Sequence, residues 1–338
     1  MIYVVIAFLW TALGIYVIFG GADFGAGIVE FFSSRDFKEK TQRIMYNSIG
    51  PIWEANHMWL IIAIVILFVG FPKIYADLSN YLHIPLTIML LGIIARGTSF
   101  TFRNYDVIKD KWHNLYAHIF TFSSMITPFF LGVIAAATVS GSIDQNATDF
   151  LSAYVFSWLS WFNLSVGVFT VSICGMLAAV YSIYSVENEQ DTTHLRGLAK
   201  KFSFAIFITG GVVFAVSIWK EVPLLGWIFS QWYGYAAVIS ATVCFVLLYF
   251  AIEKRYDITI RILASFIVLM ILFAVSYSHF PNIVLFKDGS YLSVLDINHS
   301  EKTIEVLAIA LLLGSLFILP FLFYLIYSFN KKDLNPRV

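Results

Sequence analysis

The most restrictive feature of this sequence is a series of apolar runs, each long enough to cross a lipid bilayer as a helix. The hydrocarbon core is about 30 Å thick and an α-helix rises about 1.5 Å per residue, so a span needs about 20 mostly apolar residues. Nine runs meet this requirement, at residues 2–31, 49–70, 81–101, 115–138, 152–184, 202–219, 232–252, 259–279 and 304–329. The sequence therefore predicts an all-α, polytopic membrane protein with nine transmembrane helices.

The composition excludes soluble alternatives. Of the 338 residues, 59% are hydrophobic and 12% are charged, whereas a soluble domain carries about 25% charged residues. Lysine plus arginine and aspartate plus glutamate both number 21, so no charge imbalance indicates a nucleic-acid partner. The two cysteines, Cys174 and Cys244, lie in apolar runs and are interpreted as buried apolar side chains rather than disulfide partners or metal ligands.

The basic residues predict the orientation of the chain. Sixteen of the 21 fall in alternate connections and in the C-terminal tail, on one side of the membrane. The opposite side has four, and the last one, Arg96, lies within the third run. Because basic residues favour the cytoplasmic face, we expect the N-terminus outside and the C-terminus in the cytoplasm. The long connections near 33–48, 185–201 and 280–303 leave no room for a separate soluble domain, so residues 1–338 form a single integral membrane domain.

Four polar residues interrupt the apolar pattern of the first three runs: Asp23, Glu54, His57 and Arg96. A charged side chain in the middle of a bilayer costs about 2.5–3.5 kcal/mol on insertion scales, so such residues are rare and informative. The predicted orientation places all four at similar depth, towards the cytoplasmic side. Glu54 and His57 are three residues apart and therefore share one face of their helix.

Three interpretations of this cluster are open. The first is a structural ion cluster in which Arg96 neutralises Asp23 or Glu54. The second is a protonatable path that leads inward from the cytoplasm, and the third is an ion-coordinating site. The low density of carboxylates, and the lack of a second acidic cluster in the far half of the membrane, favour a half-channel for protons from the cytoplasm.

Small residues surround Asp23 in the segment 20–27. Gly21 and Gly25 form a GxxxG pair, and with Gly27 they predict a surface against which a neighbouring helix or subunit packs closely. Trp53 and Trp59 are also assigned to packing.

The histidines do not predict a haem or metal site on this chain. His57 is the best-placed candidate for an axial ligand, but His279 lies at the opposite side of the membrane, so the two cannot bind one haem together. We prefer a polar core residue or a proton relay for His57. His113 and His118 add titratable groups at the cytoplasmic start of the fourth helix.

Three stretches, at residues 20–27, 43–60 and 96–103, resemble subunit II of the cytochrome bd-type quinol oxidases. The resemblance consists of a glycine-flanked Asp23, a Trp-acidic-x-Asn-x-x-Trp-Leu motif that contains Glu54, and Arg96 followed by a second arginine, Arg103. His57 stands where a glutamine can occur in the family, and Gly20 replaces an acid of some relatives.

The resemblance implies an arrangement of two four-helix bundles and one peripheral helix, here residues 1–140, 150–280 and 303–330. It implies a partner, subunit I, that holds two haems b and either haem d or a third haem b, whereas subunit II holds none. It also implies a complex that oxidises quinol, reduces dioxygen to water and generates proton-motive force in a bacterial cytoplasmic membrane. Whether a small single-helix accessory subunit is present stays open.

We therefore expect a haem-free oxidase subunit in which Asp23, Glu54, His57, Arg96 and Arg103 form or gate a cytoplasmic proton path. Two alternatives are a secondary transporter or permease with an intramembrane ion site, and a purely structural scaffold subunit.

Overall fold

The computed structural model describes residues 1–49, 53–105, 111–186, 188–254, 257–295 and 300–332, and the regular structure in these ranges is helical apart from one β-hairpin. The first span, Ile2–Phe32, consists of α1 (Ile2–Ile15), a π-helical turn (Tyr16–Gly20) and α2 (Gly21–Phe32). The other helices are α3 (Lys38–Ile49), α4 (Trp53–Gly70), α5 (Pro72–Tyr81), α6 (His83–Tyr105), α7 (Lys111–Val139), α8 (Phe150–Tyr154), α9 (Trp161–Ile183), α10 (Glu189–Trp219), α11 (Leu224–Phe229), α12 (Trp232–Lys254), α13 (Asp257–His279) and α14 (Glu301–Lys332).

Eight helices within the described ranges are long and apolar enough to cross a membrane, which agrees with a multi-pass protein. A ninth span is counted only if α4 and α5 are taken together. The direction of the helix axis changes by 114° between these two helices. The bend has a local cause. Pro72 has no N–H group, and its ring disfavours helical geometry at Phe71, whose φ and ψ are −133° and 58°.

The helices differ from the predicted runs at several ends. Residues 189–201, predicted as part of a connecting loop, are the first turns of α10, and Asn188 caps this helix by accepting from the backbone N–H of Gln190 at 2.9 Å. Hydropathy detects only the apolar part of a helix, so a polar extension beyond the bilayer escapes it. The fifth run, predicted from residue 152, forms a span only from Trp161, after Ser160 caps the helix.

The two other long connections also have structure. Residues 38–49 form helix α3, which contacts α2 and α9. Residues 282–285 and 291–293 pair as the antiparallel strands β1 (Asn282–Leu285) and β2 (Tyr291–Ser293) at the opposite end of the molecule. A polar contact holds the short segment between α2 and α3 against α10: Ser33 Oγ lies 2.9 Å from His194 Nε2. The ring of Phe37 stacks on His194 with a centroid distance of 4.4 Å.

Helix α9 is the centre of the molecule. It packs against α2, α7, α10 and α13, and most of its side chains are buried, whereas few of the described side chains of α14 are. Gly25 makes the close approach of α2 and α9 possible, because a Cβ atom there would lie 1.9 Å from the backbone oxygen of Cys174. The three-helix junction of α2, α4 and α6 next to this contact holds the polar residues discussed below.

Candidate functional site

A fully buried ion pair joins α2 to α6. Asp23 and Arg96 are both 0% exposed, and Arg96 Nη2 donates to Asp23 Oδ1. The same nitrogen donates to the backbone oxygen of Asp23 at 3.2 Å. Each charge therefore has an opposite charge as its neighbour, which removes much of the cost of placing it in a membrane.

Aromatic rings enclose the guanidinium group. The Cζ atom of Arg96 lies between 5.2 and 6.0 Å from the ring centroids of four residues: Phe24, Trp53, Phe100 and Phe120. The faces of these rings attract the cation and keep its surroundings at low dielectric, so the attraction between Arg96 and Asp23 is much stronger than it would be in water.

The second oxygen of Asp23 faces a histidine. His57 Nε2, on α4, lies 3.8 Å from Asp23 Oδ2, and the His57 side chain is 17% exposed. Within the part of the chain that the structure describes, neither Asp23 Oδ2 nor either ring nitrogen of His57 has a hydrogen-bond partner. Arg96 thus fixes one carboxylate oxygen, and the other is left available to a proton or to a bound water molecule.

A second buried ion pair repeats the first one on the same two helices. Arg103 Nη1 donates to both carboxylate oxygens of Glu30, at 3.0 and 2.9 Å, and both side chains are 1% exposed. Gln42 on α3 joins this pair: with its amide oxygen turned towards Arg103, it accepts from Arg103 Nε at 3.2 Å. The sequence predicts Arg103 as a site residue but gives no prediction for Glu30.

The two pairs share one register. In each pair the partners are 73 residues apart, and Glu30 and Arg103 follow Asp23 and Arg96 by seven residues each. Helices α2 and α6 therefore run parallel, with the pairs about 10 Å apart along the axis. The ring of Phe120 lies between the two guanidinium groups, with Cζ distances of 5.2 Å to Arg96 and 4.2 Å to Arg103.

Other predicted site residues lie in different places. Glu54 occupies the first turn of α4, three residues before His57, but its side chain and that of His113 fall outside the described residues. His118 is exposed on α7 and does not reach the ion pairs. Trp53 belongs to the aromatic enclosure of Arg96, whereas Trp59 packs against a separate apolar core.

The small residues around Asp23 lie at helix contacts. A Cβ atom on Gly27 would be 2.4 Å from Ser124 Oγ on α7, and one on Gly21 would be 3.1 Å from Leu177 Cδ1 on α9. Together with Gly25, these positions fix how deeply α2 sits between its neighbours. No group of three or more histidine, cysteine, aspartate or glutamate side chains is arranged to hold a metal ion in the described ranges.

The sequence matches a known family over nearly its whole length. The family model "Cytochrome bd terminal oxidase subunit II" matches residues 1–329. The chain is 25% identical to the Bacillus subtilis "Cytochrome bd ubiquinol oxidase subunit 2" over 329 residues, covering 92% of this chain and 90% of that protein. It is 29% identical to the Escherichia coli "Cytochrome bd-I ubiquinol oxidase subunit 2" over 203 residues, or 57% of this chain and 52% of that one.

The fold agrees with this match. A chain in the structure of bd oxidase from Geobacillus thermodenitrificans superposes with a TM-score of 0.77, at 20% identity, covering 97% of this chain and 98% of that one. The eight helices of the described ranges that are long and apolar enough to cross a membrane define a multi-pass membrane protein. The chain belongs to the cytochrome bd terminal oxidase subunit II family.

Proposed function

We propose that this chain is the haem-free subunit II of a bd-type terminal quinol oxidase, and that its buried polar cluster conducts protons from the cytoplasm towards the haem-bearing subunit I. In this proposal the complex oxidises quinol and reduces dioxygen to water, with two haems b and either haem d or a third haem b in subunit I. Family membership supports the complex. Relatives named for ubiquinol and for menaquinol both occur, so the quinol type stays open.

The orientation follows from charge. We propose nine spans, with the bent pair α4 and α5 counted as one, the N-terminus outside and the C-terminus in the cytoplasm. The basic residues around 35–43 and 196–201 lie at the end of the molecule that α3 covers, and a bias of sixteen to four supports placing that end in the cytoplasm. On this orientation, Glu30 and Arg103 are nearer to the cytoplasm than Asp23 and Arg96. Bundles at 1–140 and 150–280, with a ninth helix at 303–330, are part of the same proposal.

The observation that carries the proton path is the asymmetry of Asp23. Arg96 fixes Oδ1, whereas Oδ2 faces His57 Nε2 at 3.8 Å with no hydrogen-bond partner among the described residues. A purely structural ion pair would be expected to satisfy both oxygens, as Arg103 does for Glu30. A buried carboxylate with one free oxygen next to an imidazole can accept a proton and pass it on.

Each residue has a distinct part in the proposed path. Glu54, near the start of α4, takes a proton from the cytoplasmic side and delivers it to His57, one helical turn further along. His57 exchanges it with Asp23 Oδ2. Arg96 acts as a positioning residue that orients the Asp23 carboxylate and holds its negative charge between proton transfers. Arg103 controls the access of protons from the cytoplasm, because its ion pair with Glu30 lies between the cytoplasm and Asp23.

Two other functions make different predictions. A transporter would act without a partner subunit, and family membership favours the oxidase over this alternative. A scaffold would need the ion pairs for assembly alone. A variant that removes the charges but keeps the complex intact separates the scaffold from the proton path.

The test uses the intact oxidase complex in liposomes. The double variant Asp23→Asn/Arg96→Gln removes both charges, so no unpaired charge is left buried and the complex should assemble. We expect quinol-dependent oxygen consumption per assembled complex to fall by about 100-fold, the order that a proton-transferring side chain contributes. Glu54→Gln should also reduce turnover.

The matched control is Asp144→Asn, which removes an exposed ion pair with Lys287 (2.9 Å) and should leave turnover unchanged. Full turnover of both site variants in assembled complexes would reject the proton path.

A further inference from the structure

Tyr16 is a buried polar residue that the proposed path does not use. It begins the π-helical turn Tyr16–Gly20, its side chain is 1% exposed, and its hydroxyl has no hydrogen-bond partner among the residues that the structure describes. A buried hydroxyl without a partner costs about 1–3 kcal/mol. Single π-helical turns inside α-helices are rare and often mark functional sites.

The Tyr16 ring extends along the first span towards the residues that flank the ion pair. One edge of the Tyr16 ring lies over Gly20, where a Cβ atom would come within 2.9 Å of Tyr16 Cε2. It continues to Phe24, whose ring it meets edge-on at a centroid distance of 6.4 Å. Asp23 precedes Phe24, and the Phe24 ring also contacts the ring of His57, with a centroid distance of 5.9 Å. A side chain larger than glycine at position 20 would push the phenol ring of Tyr16 away from Phe24.

Several polar atoms that lack a hydrogen-bond partner among the described residues belong to side chains around Phe24. Besides the Tyr16 hydroxyl, they are Asp23 Oδ2, both ring nitrogens of His57, and Nε and Nη1 of Arg96. Most buried polar atoms in proteins have a partner, and a buried water molecule that bonds two to four such atoms is the usual solution. The 3.8 Å between His57 Nε2 and Asp23 Oδ2 is too long for a direct hydrogen bond and suits a pair of atoms that share a water molecule.

We propose that Tyr16, Asp23 and His57 form a binding site for internal water, in which the Tyr16 hydroxyl holds the water next to Asp23. The water accepts from Tyr16 or His57 and donates to Asp23 Oδ2. A proton that moves between His57 and Asp23 then forms one O–H bond and breaks one N–H bond, with the water returned to its starting state. Tyr16 is a positioning residue in this scheme, and its role in turnover rests on the proposed function, whereas the water site itself does not.

The direct test is a high-resolution cryo-electron microscopy map of the intact complex, with infrared difference spectra in H₂¹⁶O and H₂¹⁸O. In the wild type we expect density between Tyr16, Asp23 and His57, and a water O–H band that shifts with ¹⁸O. Tyr16→Phe keeps the ring over Gly20 and removes only the hydroxyl, so the density and the band should weaken or disappear. The matched control is Tyr181→Phe, whose hydroxyl pairs with Ser265 on α13 at 2.6 Å, and which should leave both signals unchanged.

Turnover distinguishes this inference from the proposed function. If both hold, Tyr16→Phe lowers turnover several-fold and increases the solvent isotope effect, while Tyr181→Phe does neither. A dry wild-type site, or water signals that Tyr16→Phe leaves intact, would overturn the water site whatever the activity of the Asp23 variants. Water signals that depend on Tyr16, together with full turnover of both Asp23→Asn/Arg96→Gln and Glu54→Gln, would keep the water site and reject the proton path.

Discussion

The contact between α2 and α9 gives a quantitative prediction for Gly25→Ala. A methyl group at this position would lie 1.9 Å from the backbone oxygen of Cys174 and 2.6 Å from Ala178 Cβ, whereas ordinary contacts begin near 3.4 Å. The helices must therefore separate by more than 1 Å, because a backbone oxygen cannot rotate away as a flexible side chain can. Overpacking a core typically costs about 1–3 kcal/mol, and a clash with backbone belongs at the upper end.

The assay is thermal unfolding of the purified intact complex, followed by tryptophan fluorescence. The matched control is Gly211→Ala on α10, where a Cβ atom would meet nothing within 4 Å. Alanine is favoured over glycine in a helix by about 0.5–1 kcal/mol, so this control should melt at or above the wild-type temperature. Gly25→Ala should melt clearly lower, with lower turnover because Asp23 moves with α2. Equal melting temperatures for Gly25→Ala and Gly211→Ala would refute the close contact.

Two further predictions concern ion pairs. Glu30→Gln leaves the Arg103 charge buried without its carboxylate and should cost about 3–5 kcal/mol of stability, whereas Glu30→Gln/Arg103→Gln should recover most of this loss. A double variant less stable than either single variant in chemical unfolding would contradict this prediction. At the opposite end of the molecule, the hydrogen bond from Lys287 lowers the pKa of Asp144 below its ordinary value of 3.8. The pair should therefore contribute a small stabilisation above about pH 4 that is lost as the pH falls through the lowered pKa. Wild type and Asp144→Asn should differ in melting temperature near pH 6, and the difference should shrink as the pH falls well below 3.8. A difference that stays constant through this acid range would exclude this origin.

The sequence predicted the rare features of this chain better than the common ones. Asp23 and Arg96 stand out because charges are scarce in apolar runs, and counting residues along each helix already placed them at similar depth. Glu30 escaped notice because a charge near the end of a span is ordinary. Its seven-residue spacing from Asp23, matched by Arg103 and Arg96, was a signal that could have revealed the second pair.

Other features left no signal that a single sequence can carry. The chain has 33 phenylalanines, so nothing distinguishes Phe120, between two guanidinium groups, from those that face lipid. The bend at Pro72 could have been expected from proline chemistry, but its angle depends on packing. The water site at Tyr16 depends on a π-helical turn, and no residue pattern predicts where an α-helix gains one extra residue.

The shared 73-residue offset of the two ion pairs has a consequence for biogenesis. During synthesis α2 enters the membrane with two acidic groups, and the arginines that neutralise them are translated about 70 residues later. An unpaired carboxylate in lipid is costly. Moving the first span into lipid before α6 is present is therefore unfavourable, and we expect this span to stay beside the translocation machinery until α6 is inserted. Once α6 docks, sliding it by one helical turn would break both pairs together, so only one alignment of these two helices is stable in the bilayer.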